Sequence, residues 1–399
     1  MKVISINAGS SSLKFKLFDM TTEEVIASGL FERIGIDGSF YTIKYGSESV
    51  REDIDLPDQT TAVRILLDKL IALEIISSLE DISGIGHRVV SGGEKYKDSV
   101  LVTDQVIEDI EAMKDFAPLH NVQSAKVMRA FKEVLPTVDM VAIFDTTFHQ
   151  TMKEENFLYP VPYEWYTNYK VRKYGAHGTS YRYVVEEMEK TLGKKDIKAI
   201  ICHLGSGASI AAVENGKSVD TSMGFTPVSG IMMATRAGDI DPSIITYIME
   251  KEGKNALEVL DDLNHNSGML GFSEVSSDCR DIEREMHEGN ERCKLTLELY
   301  YKRIVSYIAS YYCLLNKADI IVFTGGIGEN RSLVRSNIIN KLSCLGITID
   351  EEKNSEEDNP LKGKIRKIST DSSSIPVYVI PTNEELVMAR DTLRIVNNR

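Results

Sequence analysis

The chain opens with an alternation of apolar and polar residues that predicts a β-hairpin. An apolar run over 3–6 stops at small polar residues over 7–12, and apolar residues then alternate with lysines over 13–17. Small residues let backbone N–H groups and hydroxyls, such as that of Ser12, approach an anion closely, and Lys14 adds a positive charge. The tip therefore predicts a phosphate-binding turn, with an ordinary serine-rich turn as the alternative.

The same pattern returns in the second half of the chain. Residues 199–213 again alternate as strand, small-residue turn and strand, and aligning Ile4 with Ile200 places Gly9 on Gly205. A further alignment matches 141–145 with 321–325. Two similar halves, each with a phosphate-sized turn, predict a nucleotide held between duplicated domains.

Apolar periodicity predicts the remaining elements. The first half is mixed, with these predicted strands and helices: strands 25–34, 40–45, 82–90 and 138–144, helices 61–76, 104–115 and 121–135. The second half carries these: helices 178–192, 242–251, 254–264, 278–288 and 290–316, strand 320–324, a helix from Asn330, strands near 364–369 and 375–380, and a helix from Asn383. The aromatic, proline-containing stretch 158–173 is predicted to pass between the domains, and the acidic run 350–358 to be a surface loop.

The predicted domains are 1–150, onto which the last helix (383–399) packs back, and a nucleotide-binding domain over 151–382. A chain of 399 residues is long enough for two such cores.

Composition excludes several classes of protein. The content of 42% hydrophobic and 27% charged residues is typical of a soluble globular protein, and a net charge of −14 disfavours nucleic acid or an anionic membrane as partner. The 5 cysteines form no C-x-x-C pair, which favours neither a disulfide framework nor a cysteine zinc site and fits a reducing cytoplasm. No signal segment and no apolar stretch of membrane-spanning length is present.

Two arginines lie in glycine-flanked loops at the ends of predicted strands. Arg88 belongs to 86–93 and Arg236 to 235–241. A guanidinium presents a rigid fork that matches carboxylate or phosphoryl oxygens, so both are candidates for binding an acid and a migrating phosphoryl group. The alternative for each is a surface ion pair.

Histidines and oxygen ligands complete the candidate chemistry. His149, His177 and His203 lie at the edges of glycine-containing or strand-end segments, where an imidazole can donate to phosphoryl oxygens; a core histidine is the alternative for each. Asp145, which ends a predicted strand, with Asn7 and Glu384, would suit Mg²⁺, although helix caps explain the same residues. Neither a Walker A pattern nor G-x-G-x-x-G occurs.

Together these segments resemble the acetate kinase family, within the superfamily that contains sugar kinases, actin and heat-shock ATPases. The resemblance covers nearly the whole chain. The matching motifs are 7–14, 86–90, 144–150, 174–180, 203–205, 224–228, 235–242, 277–281, 325–330 and 381–386.

The resemblance implies an α/β fold of two duplicated actin-like ATPase (ribonuclease H-like) domains with an active-site cleft between them. It also implies a cytoplasmic homodimer that transfers a phosphoryl group reversibly between ATP and acetate, giving ADP and acetyl phosphate, with Mg²⁺ or, as the alternative, Mn²⁺. Transfer would be direct and in line; a covalent relay through Asp145 or Glu384 is the rival.

Site roles follow from the resemblance, position by position. Arg88 and Arg236 would bind the carboxylate and the phosphoryl group, His177 would stabilise the transition state beside Asp145, and Asn7 and Glu384 would place the metal. The ATP phosphates would meet Lys14, Ser12, His203, Gly205, Ser206 and Gly207. The adenosine would border Asp278, Cys279, Arg280, Gly326, Ile327 and Asn330. The methyl group would meet Val90, Leu119 and Pro227.

The chain departs from the family pattern at four positions. Ser206 replaces an asparagine, Ala176 a phenylalanine beside the acyl pocket, and Ser91 and Tyr181 replace histidines. A propionate or butyrate kinase therefore stays open, since one methylene in an apolar pocket discriminates by only about 1–3 kcal/mol. A non-enzymatic, nucleotide-gated clamp of the actin type is the further alternative.

Overall fold

The opening segment folds as the hairpin that its pattern predicts. In this computed structural model, which describes residues 1–113, 118–355 and 359–398, β1 (Lys2–Ala8) pairs antiparallel with β2 (Ser12–Asp19). The Gly9 amide donates to the Ser12 carbonyl at 2.9 Å and closes the tip. A Cβ on Gly9 would lie 2.4 Å from Ser12 Oγ, so the Ser12 side chain would have to rotate to admit a larger residue there.

The hairpin belongs to a first unit made of Met1–Thr147 and Asn383–Arg399. Its further elements are β3 (Glu24–Glu32), β4 (Phe40–Tyr45), β5 (Glu48–Asp53), α1 (Gln59–Ala72), β6 (Ile82–Val89), β7 (Val100–Leu101), α2 (Asp104–Ala112), α3 (Pro118–Val134), β8 (Met140–Phe144) and α15 (Glu384–Asn397), with a 3₁₀ turn at Leu79–Asp81. The eight-stranded sheet has the order β5-β4-β3-β2-β1-β6-β8-β7. Strands β1, β6 and β8 run parallel, and their neighbours pair antiparallel.

Helices cover both faces of this sheet. Apolar residues of α1 and α3, such as Leu66 and Phe131, form one core with the inner residues of the hairpin strands. On the other face α15 packs against β1, β6 and β8. A Cβ on Gly86 would lie 2.4 Å from Thr392 Oγ1, so the glycine of the 86–90 motif serves close packing of α15 on β6.

The second unit, Phe148–Thr382, contains a six-stranded sheet. Its elements are α4 (Glu154–Phe157), α5 (Tyr163–Tyr169), α6 (Gly178–Leu192), β9 (Lys198–Leu204), β10 (Ala208–Glu214), β11 (Lys217–Thr221), α7 (Ser243–Glu252), α8 (Ala256–His265), α9 (Gly268–Ser273), α10 (Cys279–His287), α11 (Glu291–Leu314), β12 (Ile320–Thr324), α12 (Gly325–Asn330), α13 (Ser332–Asn340), α14 (Glu351–Asn354), β13 (Arg366–Lys367) and β14 (Val377–Val379), with 3₁₀ turns at Thr147–Thr151 and Ser343–Leu345. The strand order is β11-β10-β9-β12-β14-β13.

The two sheets share one topology. In both, three antiparallel strands are followed by two parallel ones: β3-β2-β1-β6-β8 in the first unit and β11-β10-β9-β12-β14 in the second. The hairpin echo is therefore structural. The alignment of 141–145 with 321–325 is wrong, because β12 occupies the place of β6 and not that of β8. Buried parallel strands all appear in the sequence as continuous apolar runs. An alignment of two such runs therefore does not show which strands occupy equivalent places in the two sheets.

Other differences are local. The stretch 158–173 lies within the second unit and contains α5, so it is not the passage between units. The segment 325–328 is already helical in α12, although the sequence predicts a turn there. Part of the predicted acidic loop forms α14; residues 356–358, like residues 114–115 of the second predicted helix, lie outside the described residues. Within the described ranges, no helix is both long and apolar enough to cross a membrane.

His87, on β6, is a buried histidine, and in the described part of the chain burial alone shifts its pKa. Its ring packs edge-on against Phe131 at 5.3 Å, and its Nε2 has no hydrogen-bond partner in the described part of the chain. Burial lowers the pKa of His87 to about 3, because the charged form would lose its hydration.

This burial makes stability depend on pH. An unfolded histidine titrates near about 6.5, so between pH 6.5 and 3 the unfolded state binds a proton that the folded state rejects. Stability from this group is therefore complete above pH 6.5 and declines by about 1.4 kcal/mol per pH unit as pH falls. We expect His87→Leu to remove that slope in urea titrations between pH 6 and pH 4.

The exposed His265 supplies the control. His265→Gln should keep the pH dependence of the wild type, whereas parallel curves for wild type and His87→Leu would show that His87 does not cause it.

Candidate active site

In the first unit, strand register brings Asn7, Arg88 and Asp145 to one edge of the sheet. Ile6 of β1 lies opposite His87 of β6, so Asn7 and Arg88, the next residue on each strand, emerge side by side. Arg88 lies opposite Ile143 of β8, which ends one residue before Asp145. The carboxyl ends of parallel strands are where α/β sheets build ligand sites. Glu384 joins them as the first residue of α15, which packs on these same strands.

Arg88 and Asp145 form a fixed ion pair. Arg88 donates from Nε at 2.9 Å and from Nη2 at 2.7 Å, both to Asp145 Oδ2, and Asp145 is 1% exposed. The Asp145 carboxylate holds the pKa of Arg88 above its usual value. The carboxylate therefore orients the guanidinium, and the sequence predicted both residues without predicting their pairing.

Glu384 is a half-buried carboxyl group with too little compensating charge. Burial, together with the nearby Asp145 carboxylate, raises the pKa of Glu384 to about 7, although Arg88 acts against this. A cation beside Glu384 would relieve the cost, and the half-buried Asn7 supplies an amide oxygen at the same edge. No group of three or more His, Cys, Asp or Glu side chains able to hold a metal occurs among the described residues. Mg²⁺ fits such a site, since it takes one or two protein oxygens and completes its shell with water and substrate.

The Lys14 side chain forms an ion pair with Glu385 of α15. Its Nζ lies 2.9 Å from Glu385 Oε1, and Lys16 Nζ lies 3.2 Å from Glu385 Oε2. Although burial opposes it, these lysines lower the pKa of Glu385 to about 2. The sequence analysis did not predict Glu385 as a site residue. Its position next to Glu384 was the only signal for it in the sequence. Ser12 begins β2 at this tip.

In the second unit, the hairpin of β9 and β10 carries the turn Gly205-Ser206-Gly207. His203 lies opposite Ser209 at the base of the turn. His177 immediately precedes α6 with a left-handed φ of 59°, and its ring stacks on that of His203 with centroids 4.2 Å apart. The two histidines are thus brought together beside the turn.

Gly207 faces a small space between a guanidinium and an imidazole. A Cβ at this position would lie 3.4 Å from Arg236 Nη1 and 3.4 Å from His177 Nε2. Burial lowers the pKa of Arg236, and within the described ranges no carboxylate forms an ion pair with it. Its nearest hydrogen-bond partner is the sulfur of Met233 at 3.8 Å. This space suits an anion.

The loop that carries Arg236 is closed by Asp239. Asp239 Oδ1 accepts from the Gly230 amide at 2.7 Å, and its Oδ2 accepts from the Tyr307 hydroxyl on α11 at 2.5 Å. The Ala234 amide donates to the Ser206 carbonyl at 3.1 Å and ties the loop to the turn. The glycine and aspartate of the 235–242 motif therefore shape the loop.

Beside the same turn lies a cavity of about 410 Å³. Its lining contains every residue predicted to border adenosine, together with Gly205 and Ser206 from the turn and two residues that the sequence analysis missed, Ser277 and Arg331. Arg331 forms an ion pair with Glu283, and Asp278 caps α10 and accepts from Arg280. The volume suits a nucleoside.

The structure does not show whether the three residues predicted to form the acyl pocket come together. Val90 is half-buried directly after β6 in the first unit, and Pro227 is half-buried in a loop of the second. The side chain of Leu119 lies outside the described residues. The acyl pocket stays a prediction.

Each unit thus presents its own group of charged or donor residues at the ends of parallel strands. The first offers an oriented arginine, the buried Asp145 carboxylate and the half-buried Glu384. The second offers imidazoles, a nucleoside-sized cavity and an arginine that has no ion-pair partner in the described ranges. Such groups are suited to phosphoryl transfer from a nucleotide.

Comparison with known proteins agrees with this class. The family model described as the acetokinase family matches residues 2–390. An acetate kinase of Chlorante-Aster yellows phytoplasma is 52% identical over 100% of this chain and 96% of its own length. One from Anoxybacillus flavithermus is 52% identical over 99% of both chains.

Solved structures agree in fold. The crystal structure of Porphyromonas gingivalis acetate kinase matches with a TM-score of 0.93 and 42% identity, covering 99% of both chains. A propionate kinase from Francisella tularensis matches with a TM-score of 0.93 and 39% identity, also over 99% of both. The chain therefore belongs to the acetokinase family, and the predicted duplicated α/β fold of the actin-like ATPase class is confirmed.

Proposed function

We propose that this protein transfers the γ-phosphoryl group of ATP reversibly to acetate, giving ADP and acetyl phosphate. Family membership over nearly the whole chain supports the reaction class. The observation that carries the proposal is the Arg236 guanidinium, partly buried without a carboxylate partner in the described ranges and facing the same space as His177 Nε2. The turn 205–207 joins this space to the nucleoside-sized cavity.

The reaction needs positioning more than proton chemistry. A carboxylate with a pKa near about 4 is already a nucleophile at neutral pH. We assign Arg88, oriented by Asp145, to the carboxylate of the acid, and Arg236 and His177 to the oxygens of the migrating phosphoryl group. Fixed donors stabilise the charge that spreads over those oxygens in a loose transition state.

Glu384 and Asn7 would hold the divalent cation, Mg²⁺ or Mn²⁺. When bound, the ion neutralises charge on the phosphates. Direct transfer is favoured over a relay through Asp145, because Asp145 Oδ2 already accepts two hydrogen bonds from Arg88, which reduce its nucleophilicity.

The test of the function is acid-dependent turnover. Incubation with ATP, Mg²⁺ and hydroxylamine should give ADP and the acyl hydroxamate, with kcat/KM falling from acetate to propionate to butyrate. Each added methylene should cost about 10–200-fold in a pocket shaped for acetate. ADP formation independent of any acid would instead indicate a nucleotide-gated clamp, and a maximum at propionate would indicate a propionate kinase.

Two substitutions test the space beside Gly207. Arg236→Ala should lower kcat by roughly 10³-fold or more, as expected for an arginine on a transferring phosphoryl group. Gly207→Ala should fold normally, since its methyl group would make only ordinary contacts at 3.4 Å. The methyl would nevertheless occupy the space of an oxygen, and we expect a loss of about 10²-fold in kcat, measured as acetate-dependent ADP formation.

Arg64 provides the matched control, because it forms an exposed ion pair with Glu133. Arg64→Ala should keep the wild-type rate. Near-normal rates in Arg236→Ala would refute the assignment of this space.

We also propose a homodimer formed through α7 and α8. Within the described structure, α7 has no buried side chain and α8 has one, Val259, although both carry apolar residues; Leu257 is 77% exposed. Sedimentation should give twice the chain mass of 44.6 kDa. Leu257→Glu should lower that mass towards one chain, and Leu361→Glu, at another exposed leucine, should not.

Free thiols at all five cysteines, three of them buried, support a reducing cytoplasm as the compartment, which cell fractionation would check.

A further inference from the structure

A chain of buried hydroxyl groups leads to His177. The Tyr181 hydroxyl lies 2.6 Å from Ser209 Oγ, and Ser209 Oγ lies 2.8 Å from His177 Nδ1. Tyr181 and Ser209 are both 0% exposed, so bulk solvent does not complete their hydrogen bonds. Tyr181 belongs to α6 and Ser209 to β10.

Hydrogen-bond geometry favours one direction for this chain. Ser209 Oγ is the hydrogen-bond partner of the Tyr181 hydroxyl at 2.6 Å in the described structure, so we assign the single Tyr181 hydrogen to Ser209 Oγ. The nearby Thr221 hydroxyl donates instead to the Ile210 carbonyl at 3.3 Å. Ser209 then has one hydrogen to give, and its other partner is His177 Nδ1. With that assignment, His177 Nδ1 accepts from Ser209 and the ring proton lies on Nε2.

We infer that Tyr181, acting through Ser209, is a positioning residue that holds His177 as the neutral Nε2–H tautomer beside Gly207 and Arg236. The inference rests on the proposed function for its catalytic meaning. Tyr181 keeps its proton, because burial raises its pKa above the ordinary value. The groups that face the His177 ring in the described structure include His203, stacked on it, and the Arg236 guanidinium across the space at Gly207.

The tautomer decides what the ring offers to a phosphoryl oxygen. With the proton on Nε2, His177 donates a hydrogen bond into the space that Arg236 also faces. With the proton on Nδ1, it would present a lone pair to an oxygen that carries growing negative charge. A donor fixed in advance costs no reorganisation during the reaction. Tyr181, where the family pattern has histidine, thus acts on His177 by orienting the hydroxyl hydrogen of Ser209.

Tyr181→Phe tests the relay, since it removes one hydroxyl and keeps the ring. Long-range ¹H–¹⁵N spectra of ¹⁵N-histidine protein, with His177 assigned by His177→Gln, should show neutral Nε2–H in the wild type and a mixture of tautomers in the variant. We expect kcat to fall by about 10–100-fold, with KM for ATP and for acetate within twofold of wild type. Ser209→Ala should have at least the same effect, and the double variant should be no worse than Ser209→Ala alone.

Tyr311→Phe is the matched control. Tyr311 is equally buried in the same unit, and its hydroxyl has no hydrogen-bond partner among the described residues. This variant should keep both the tautomer and kcat. A wild-type spectrum with the proton on Nδ1, or a Tyr181→Phe variant with wild-type tautomer and kcat, would overturn the inference. Absence of turnover with any acid in the wild type would refute the proposed function alone, because the spectra report the tautomer without activity.

Discussion

Parallel pairing between a hairpin strand and the strands that follow it is the constraint on which the site residues depend. In the first unit β1, β6 and β8 run in parallel, and in the second β9, β12 and β14 do. Parallel strands direct their carboxyl ends to one edge, so residues distant in the sequence emerge together there. Strands β8 and β12 are buried over their whole length, which leaves their ends as the places where polar chemistry is accessible.

The two candidate arginines differ in their ion pairing. Arg88 is neutralised and oriented by Asp145, whereas Arg236 is partly buried beside a methionine sulfur and backbone. Keeping a guanidinium away from water without a partner costs free energy, of the order of several kcal/mol for a fully buried ion. A site that binds an anionic phosphoryl group explains that cost, because the substrate supplies the missing charge. Arg88, already paired, is better suited to orienting a second anion than to attracting it.

Buried hydroxyls and carbonyls control the histidines near the site. His149 lies 2.9 Å from the Ala176 carbonyl through Nε2 and 2.8 Å from Ser218 Oγ through Nδ1, which fixes the segment just before His177. His177 is held by Ser209, and His203 Nδ1 lies 2.9 Å from Ser180 Oγ. Hydroxyl and carbonyl groups thus help to position these rings. His87, without such a partner at Nε2, is confined to the core.

The sequence by itself determined the hairpins, most helices and strands, and the residue types at the strand ends, because an apolar period of two or 3.6 states which face of an element is buried. Its motifs also identified Arg88, Arg236 and the residues around the nucleoside-sized cavity. Only the tertiary structure decided that β12 takes the place of β6, that Glu385 binds Lys14 and that Tyr181 reaches His177 through Ser209. Periodicity carries no information about which distant strand or hydroxyl completes a pair. Those choices are made when the chain buries its polar groups and each must find a partner.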